Sequence, residues 1–380
     1  MPDTIYQNPR PAGPKGARRG ETVVTSTCGH NCGGRCVVNA HVAPHAGGDR
    51  IVRISTDPAR WQPDLPPLHA CARGVGQIER LYHPDRLQYP MRRTGPRGTW
   101  YEKGQFERIS WDEALGHVAS EMRRIRDRYG NAAFVDLSRT GSTSALHTTA
   151  GLAKRFFYKF GGCTELWSNM SAEAEVFAVR MTFGAKADYK SAGREPTDYV
   201  NSKLIVMWGW SPADGTFGTG TFQYLKEAKK KGVRIIAVGP RRTRTSQALA
   251  DEHIFIKPST DAAALIAMAQ VIVSEGLHDQ AFCDRHVLGF DEAHLPESAP
   301  KGPFWKAYLL GERDGIPKTP EWAEARCGIP AETIRKLAIE FATTKPAALQ
   351  CGYAPGRTAF GQQFHRPAYA LAAASGTVRT

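Results

Sequence analysis

The 380-residue chain contains no apolar run approaching the roughly 20 residues that span a bilayer, which excludes a helical membrane span within it. It has no internal repeat and no low-complexity tract. Its glycines and prolines are spread along the chain rather than pooled, so neither a solenoid nor a long flexible linker is expected. There is also no long Lys/Arg block interleaved with aromatics, although the net charge is +13. A basic chain suits an anionic partner such as a phosphate-bearing cofactor, or simply carries a solvated basic surface; nucleic acid is not expected. The short cluster Lys226, Lys229, Lys230 and Lys231 falls at an expected helix end, where cations suit the helix dipole. Arg18-Arg19 is not followed by an apolar segment, so the pair does not make a twin-Arg export signal. Residues 1–21, rich in Pro, Gly and Arg, are expected to form a disordered arm.

A length of 380 residues predicts two or three domains, and a hydrophobic fraction of 41% is enough for a sizeable core. Four of the eight cysteines form a pattern. "TCGHNCGGRC" spaces Cys28, Cys32 and Cys36 as C-x3-C-x3-C, and Cys71 follows in "HACARG". Three thiolates on a short loop with a distant fourth is a common way to hold an iron–sulfur cluster. Gly29, Gly33 and Gly34 let that loop wrap an inorganic core without steric cost. Structural zinc prefers ligands in pairs, and a tight triplet pairs awkwardly as disulfides. Both remain weaker readings than iron–sulfur. His30 lies inside the triplet and reads as a loop residue. Cys163, Cys283, Cys327 and Cys351 are isolated and are expected to be ordinary buried thiols.

Further along, "KLIVMWGWSPAD" reads as a buried strand at Leu204–Met207 ending in a loop. A helix is expected over Phe222–Lys231. "VRIIAVGPRRT" then reads as a second buried strand ending at Gly239-Pro240. Strand, helix and strand with continuous apolar runs predict a βαβ unit in a parallel sheet. Ligands of such sheets bind beyond the carboxyl ends of the strands, here Trp208–Asp214 and Gly239–Thr245. Loop amides with Arg241, Arg242 and Arg244 suit a pyrophosphate.

Several runs occur together and in order: the C-x3-C-x3-C set with "CARG", then "HPDRLQYPM", then "FERISWDEA". With them the chain resembles the dimethyl sulfoxide reductase family of molybdopterin oxidoreductases, from about residue 22 to about residue 375. Within that family the likeness is to the catalytic A subunits of the anaerobic type. The resemblance implies that Cys28, Cys32, Cys36 and Cys71 ligate a [4Fe–4S] cluster. It implies that Arg73 lies between cluster and pterin and assists electron transfer; a surface salt bridge is the plainer reading. The segment "GGCTELWSNMSAEAEVFAVRMTFG" resembles the one that delivers the molybdenum ligand. It places Ser171 there, before a helix over 172–182, with Ser168 as the fallback. A serine oxygen is a hard donor that suits high-valent molybdenum. Read without the family, Ser171 is a helix N-cap.

The resemblance further implies a molybdenum bis(molybdopterin guanine dinucleotide), cradled by Trp208, Gly209, Ser211, Pro240 and Arg241, with Asp261 reading guanine. Asp261 is otherwise a first-turn helix acid. Gly239 stands where the family carries an Asp that meets the ribose, and "PSTD" replaces "PGTD". Gly352 and Arg357, in a glycine-rich segment, are expected to approach pterin or substrate. The family continues past a "TGNxG" stretch where this chain reads "SGTVRT". A truncated or frameshifted product, or one piece of a split subunit, is therefore expected.

The expected fold is α/β: a small iron–sulfur domain over 22–90, then Rossmann-like α/β domains of the molybdopterin oxidoreductase type over 91–380, incomplete at the C-terminus. The expected activity is reductive oxygen-atom transfer from an S-oxide or N-oxide such as dimethyl sulfoxide. The alternatives are another substrate (selenate, or dehydrogenase chemistry) and a non-catalytic cluster-binding fragment. The resemblance implies an iron–sulfur electron-transfer subunit and a membrane anchor subunit as partners, and a periplasmic, membrane-associated location. No export signal is visible, so a cytoplasmic location stays open.

Overall fold

The computed structural model describes residues 17–28, 36–56, 70–99, 104–138, 149–166, 171–184, 195–215, 220–300, 302 and 304–378. Cys32, His30 and Ser168, and residues 1–16 of the expected N-terminal arm, lie outside the described residues. The chain forms two compact units, one of residues 1–63 with 67–167, the other of 64–66 with 168–380. Residues 91–166 thus belong with the cysteine-bearing unit.

The first unit opens with a three-stranded antiparallel sheet, in the order β1 (Thr22–Thr27), β2 (Val37–His45), β3 (Gly48–Thr56). Two short helices follow, α1 (Ala72–Val75) and α2 (Gln77–Leu81), then the paired strands β4 (Met91–Arg93) and β5 (Phe106–Arg108). Helix α3 (Trp111–Tyr129) starts at Ser110, whose hydroxyl accepts the Glu113 amide, and stops at Gly130, where φ is +77°. The parallel pair β6 (Val135–Asp136) and β7 (Thr164–Glu165) flanks α4 (Thr149–Phe160).

The second unit carries a four-stranded parallel sheet. In chain order its elements are α5 (Glu173–Phe183), β8 (Leu204–Trp208), α6 (Thr221–Lys230), β9 (Arg234–Val238), α7 (Arg244–Leu249) and β10 (Glu252–Ile254). Next come α8 (Asp261–Ser274), α9 (Gln280–His286), α10 (Trp305–Leu310), α11 (Pro320–Cys327), α12 (Ala331–Thr343), β11 (Ala347–Cys351) and α13 (Gln362–Ala374). The expected strand at Leu204–Met207 extends one residue to Trp208, and the expected helix over Phe222–Lys231 spans Thr221–Lys230.

Every residue of β8 is buried, because a parallel strand is covered on both faces. Successive side chains alternate sides. Leu204, Val206 and Trp208 join a core with α8, α11, α12 and α13; Ile205 and Met207 pack toward Leu225 and Ala228 of α6. Helix α8 is apolar nearly all round, as a helix enclosed by others must be.

The strand order is β10-β9-β8-β11, all parallel. From β8 the chain steps one way to β9 and β10, then returns to the opposite side of β8 with β11. The order therefore reverses between β8 and β11, and at such a reversal an open α/β sheet forms its ligand crevice. Trp208 pairs in register with Val238 and with Cys351, so the three strands end flush. The next residue after each is a glycine: Gly209, Gly239 and Gly352.

Candidate functional site

The cysteines of the first unit are placed by the sheet. Cys28 follows β1 and Cys36 precedes β2, at the facing ends of an antiparallel pair. The Cys28 amide donates to the Cys36 carbonyl at 2.8 Å, and both thiols are buried against Val38, Ile54 and Ala70. Cys71 is the N-cap of α1. A Cβ on Gly74, in that helix, would stand 3.3 Å from Cys28 Sγ. The helix that Cys71 caps thus lies against Cys28, and a side chain at 74 would crowd that approach.

Burial pushes the Cys71 thiol up, but the amides of Gly74 and Arg73 and the Arg73 charge outweigh it. The balance lies below the ordinary thiol value, in the direction a metal-ligating thiolate needs. Cys283 behaves oppositely: burial, reinforced by nearby Asp279, Asp284 and Asp291, pushes its thiol up to about 12. Cys283 and Cys327 are the buried thiols expected of isolated cysteines, whereas Cys163 and Cys351 are only half-buried. Cys163 lies on a short loop before β7, and Cys351 ends a strand at the sheet margin, so neither is enclosed on all sides.

In the second unit the loops after β8 and β11 interlock. A Cβ on Gly352 would lie 2.1 Å from the Gly209 carbonyl oxygen and 2.9 Å from Trp210 Cα. Gly209 has φ of +57°, and a Cβ there would meet the Pro355 ring at 2.5 Å. The Gly352 amide donates to the Trp208 carbonyl at 2.8 Å. The loops after β8 and β9 are tied as well. Ser211 Oγ reaches Asp214 Oδ2 at 2.8 Å and Thr245 Oγ1 at 2.9 Å, and the Arg244 amide donates to Asp214 Oδ2 at 3.1 Å. Pro240, Arg241 and Arg242 are exposed beside them.

Trp208 and Asp261 meet inside the protein. The fully buried indole Nε1–H donates to Asp261 Oδ1 at 2.9 Å, and burial raises the Asp261 carboxyl above its usual range. Asp261 is also the first residue of α8, as its first-turn reading expects. Replacing it with Ala leaves a buried indole donor without its acceptor. Asp261→Ala is expected to lose about 1–3 kcal/mol of stability, measured by denaturant unfolding, with or without cofactor.

Ser171 is exposed, one residue before the N-cap of α5. The N-cap is Ala172, and α5 has no side-chain cap bond, so the N-cap reading of Ser171 is corrected. The helix spans 173–183 rather than 172–182. Arg357, from the loop after β11, donates its Nε–H to the Ser171 carbonyl at 3.0 Å. Two residues nominated 186 positions apart are thereby joined at the strand reversal.

Sequence reasoning missed the buried polar groups behind this edge. Glu175 lies on α5 and His365 on α13. Glu175 sits in "AEAEVF", which reads as an ordinary acidic first turn. Nothing in the sequence marks one of its carboxylate oxygens as shut off from water.

Residues 86–380 match the family profile "Molybdopterin oxidoreductase", and residues 21–83 match "Molybdopterin oxidoreductase Fe4S4 domain". The chain belongs to the molybdopterin oxidoreductase family. It is similar to "Dimethyl sulfoxide reductase DmsA" of Escherichia coli (strain K12), 39% identical over 366 residues, covering 94% of this chain and 44% of that protein. It is also similar to "Dimethyl sulfoxide/trimethylamine N-oxide reductase" of Cereibacter sphaeroides, 32% identical over 337 residues, covering 84% of this chain and 38% of that protein. Among solved structures it superposes on "Acetylene Hydratase from Pelobacter acetylenicus" with a TM-score of 0.69 and 24% identity, covering 93% of this chain and 43% of that one. That likeness bears on the fold alone. The chain spans less than half the length of these relatives.

Family membership accounts for the α/β fold with its N-terminal cluster domain, and for a [4Fe–4S] cluster and a molybdopterin as cofactors. The residues present fit both. Cys28 and Cys36 buried beside the helix that Cys71 caps suit an inorganic cluster, and the strand reversal, with Pro240 and Arg241 exposed beside it, is where an open parallel sheet takes a ligand. Among the described residues no helix is long and apolar enough to cross a membrane.

Proposed function

We propose that the chain is the N-terminal part of a molybdenum-dependent reductase that removes oxygen from an S-oxide or N-oxide such as dimethyl sulfoxide. The observation that carries this reading is the Arg357–Ser171 contact. It fixes the backbone of the segment bearing Ser171 against the loop at the strand reversal, where a parallel sheet binds its ligand. Ser171 would present a hard oxygen donor to molybdenum, the ligand type that suits oxide reduction.

Cys28, Cys32, Cys36 and Cys71 would hold the four-iron cluster. Arg73, two residues past the last of them, would lower the cost of bringing an anionic cluster near an anionic pterin. The turn formed by Gly209 and Ser211, the exposed Pro240 and Arg241, and Gly352 would receive the pterin, carried as a bis(guanine dinucleotide). Trp208 and Asp261 act together in this reading. The indole fixes the carboxyl from behind, and Asp261 Oδ2 would face guanine. When bound, the molybdenum–pterin group supplies two-electron oxygen-atom exchange, while the protein positions it and tunes its surroundings. The domain limits proposed, 22–90 for the cluster domain and 91–380 for the pterin-binding region, follow the family matches rather than the compact units, whose boundary falls after residue 167.

Electrons would come from an iron–sulfur partner subunit. With no spanning helix among the described residues, association with the periplasmic face of a membrane would run through an anchor subunit. Both partners are supported by the similarity to dimethyl sulfoxide reductases.

The test is Ser171→Ala. Removing even an outer partner of a metal ligand typically costs 10–100-fold, so loss of the ligand itself is expected to lower turnover by roughly 100-fold or more. Iron content should not change. Undiminished oxide reduction by this variant, assayed with a reduced viologen, would remove Ser171 from the site. A purified chain with iron but no molybdenum would count against this reading.

A further inference from the structure

Behind the strand reversal three elements meet at Gly356, in the loop after β11. A Cβ there would lie 2.4 Å from His365 Nε2 of α13 and 3.4 Å from Ala174 Cβ of α5. Helices α5 and α13 also meet through an edge-on contact of Phe183 and Tyr369, with ring centroids 5.2 Å apart. Glu175 is the residue after Ala174. Its Oε2 is shut off from solvent and has no hydrogen-bond partner among the described residues. A buried carboxylate oxygen without a donor is costly, and the ordinary remedy is to keep the proton.

Among the described residues, the groups facing Glu175 offer it no cation. From β11 comes Cys351, whose thiol burial pushes up, helped by Glu175 and Asp261. From α13 come Tyr369, raised by burial and by Glu175, and His365, which burial drives down to about 4 and so holds neutral. The loop after β11 adds Tyr353 and Arg357, but the Arg357 Nε–H is given to the Ser171 carbonyl. Glu173 shares the helix itself. Burial raises the Glu175 carboxyl to about 7.

We propose that Glu175 is the proton-holding residue of this site: a carboxyl at rest neutral, four residues beyond Ser171, that yields and regains one of the two protons oxide reduction consumes. The inference rests on the proposed reductase function. In the balanced reaction the S–O bond breaks, and the oxygen leaves as water with two protons. Sulfur is reduced by two electrons drawn from a one-electron donor of the iron–sulfur class. Glu175 contributes one proton as its O–H bond breaks, and solvent restores it.

The protonation can be read on the purified 380-residue chain without cofactor. Infrared titration should show a protonated-carboxyl band that disappears with a midpoint of about 7 and is absent from Glu175→Gln. Stability gives a second reading. A carboxyl raised on folding supports the fold in acid, and that support is lost as pH rises from the ordinary value of about 4.3 through about 7. Glu175→Gln should lack this component of the pH dependence. If the band that Glu175→Gln lacks disappears from the native chain with a midpoint at or below the ordinary value of about 4.3, the carboxyl is ionised at neutrality and the proposal is overturned.

In molybdenum-loaded protein, with dimethyl sulfoxide and reduced viologen, Glu175→Gln should lower kcat by about 100-fold and lose the pH limb near neutrality. Glu175→Asp, which keeps the acid, should restore part of both. Unchanged kcat and pH profile in the Glu175→Gln variant overturn the role in turnover. A chain that takes up no molybdenum overturns the reductase reading instead, and the infrared midpoint still decides whether Glu175 holds its proton.

Discussion

Gly352→Ala is expected to unfold the second unit at markedly lower denaturant than the native chain, whereas Gly239→Ala should leave the midpoint nearly unchanged. Both glycines are buried, and both follow the last residue of a parallel strand. Only their surroundings differ. A methyl group at 352 would be forced to 2.1 Å from the Gly209 carbonyl oxygen and 2.7 Å from its carbonyl carbon. These are backbone atoms, and Gly209 is itself pinned by Pro355 on its other side, so no flexible side chain can swing away. Overpacking of this kind costs typically about 1–3 kcal/mol and sometimes more. The entropy advantage of Ala in the unfolded chain offsets only about 0.4–1 kcal/mol. The clash wins, and a net loss of about 1–2 kcal/mol is expected. At Gly239 a Cβ meets nothing within 4 Å, so the entropy gain has no clash to oppose it. Equal midpoints for the two variants would mean that the loops after β8 and β11 do not interlock as described.

The same residues mark how far the sequence could be read. Strands β8 and β9 are legible because burial on both faces removes every polar position, leaving the runs "LIVMW" and "IIAV". Strand β11, "AALQC", is half-buried along its whole length and lies at the margin of the sheet, so no periodicity announces it. Without β11 the reversal of strand order is invisible, and so is the reason Gly209 and Gly352 must be glycines. The cysteine spacing identifies a cluster loop, but the sequence cannot show that Gly74 lets Cys28 approach the helix capped by Cys71. Glu175 marks the opposite failure. Its local pattern is an ordinary acidic helix start, and only the packing of α13 across α5 closes its Oε2 off from solvent.

Cys71→Ala is expected to abolish the four-iron cluster, whereas Cys283→Ala should retain the full iron content of about four atoms per chain. The contrast follows from environment rather than residue type. Cys71 sits at the start of α1, where the amides of Gly74 and Arg73 and the Arg73 charge favour the thiolate over the opposing effect of burial. The thiolate is the form that binds metal. Its distance from the triplet in sequence is closed by the fold, since Gly74, three residues on, approaches Cys28 Sγ. Cys283 is enclosed in the core of the other unit with its thiol pushed up to about 12, a group that neither ionises near neutrality nor meets solvent. Its loss should cost packing energy alone, on the order of 1 kcal/mol per deleted methylene-sized group. The measurement is iron per chain in protein purified without oxygen, with the visible absorption of the cluster as a second signal. Four irons surviving in Cys71→Ala would move the fourth ligand elsewhere. Zinc in place of iron in the native chain would remove the cluster reading altogether. If Cys71→Ala loses its iron as expected and keeps its fold by circular dichroism, the sheet of β1, β2 and β3 holds without its metal. The cluster would then be a passenger on a preformed scaffold, as the buried contacts of Cys28 and Cys36 with Val38 lead one to expect.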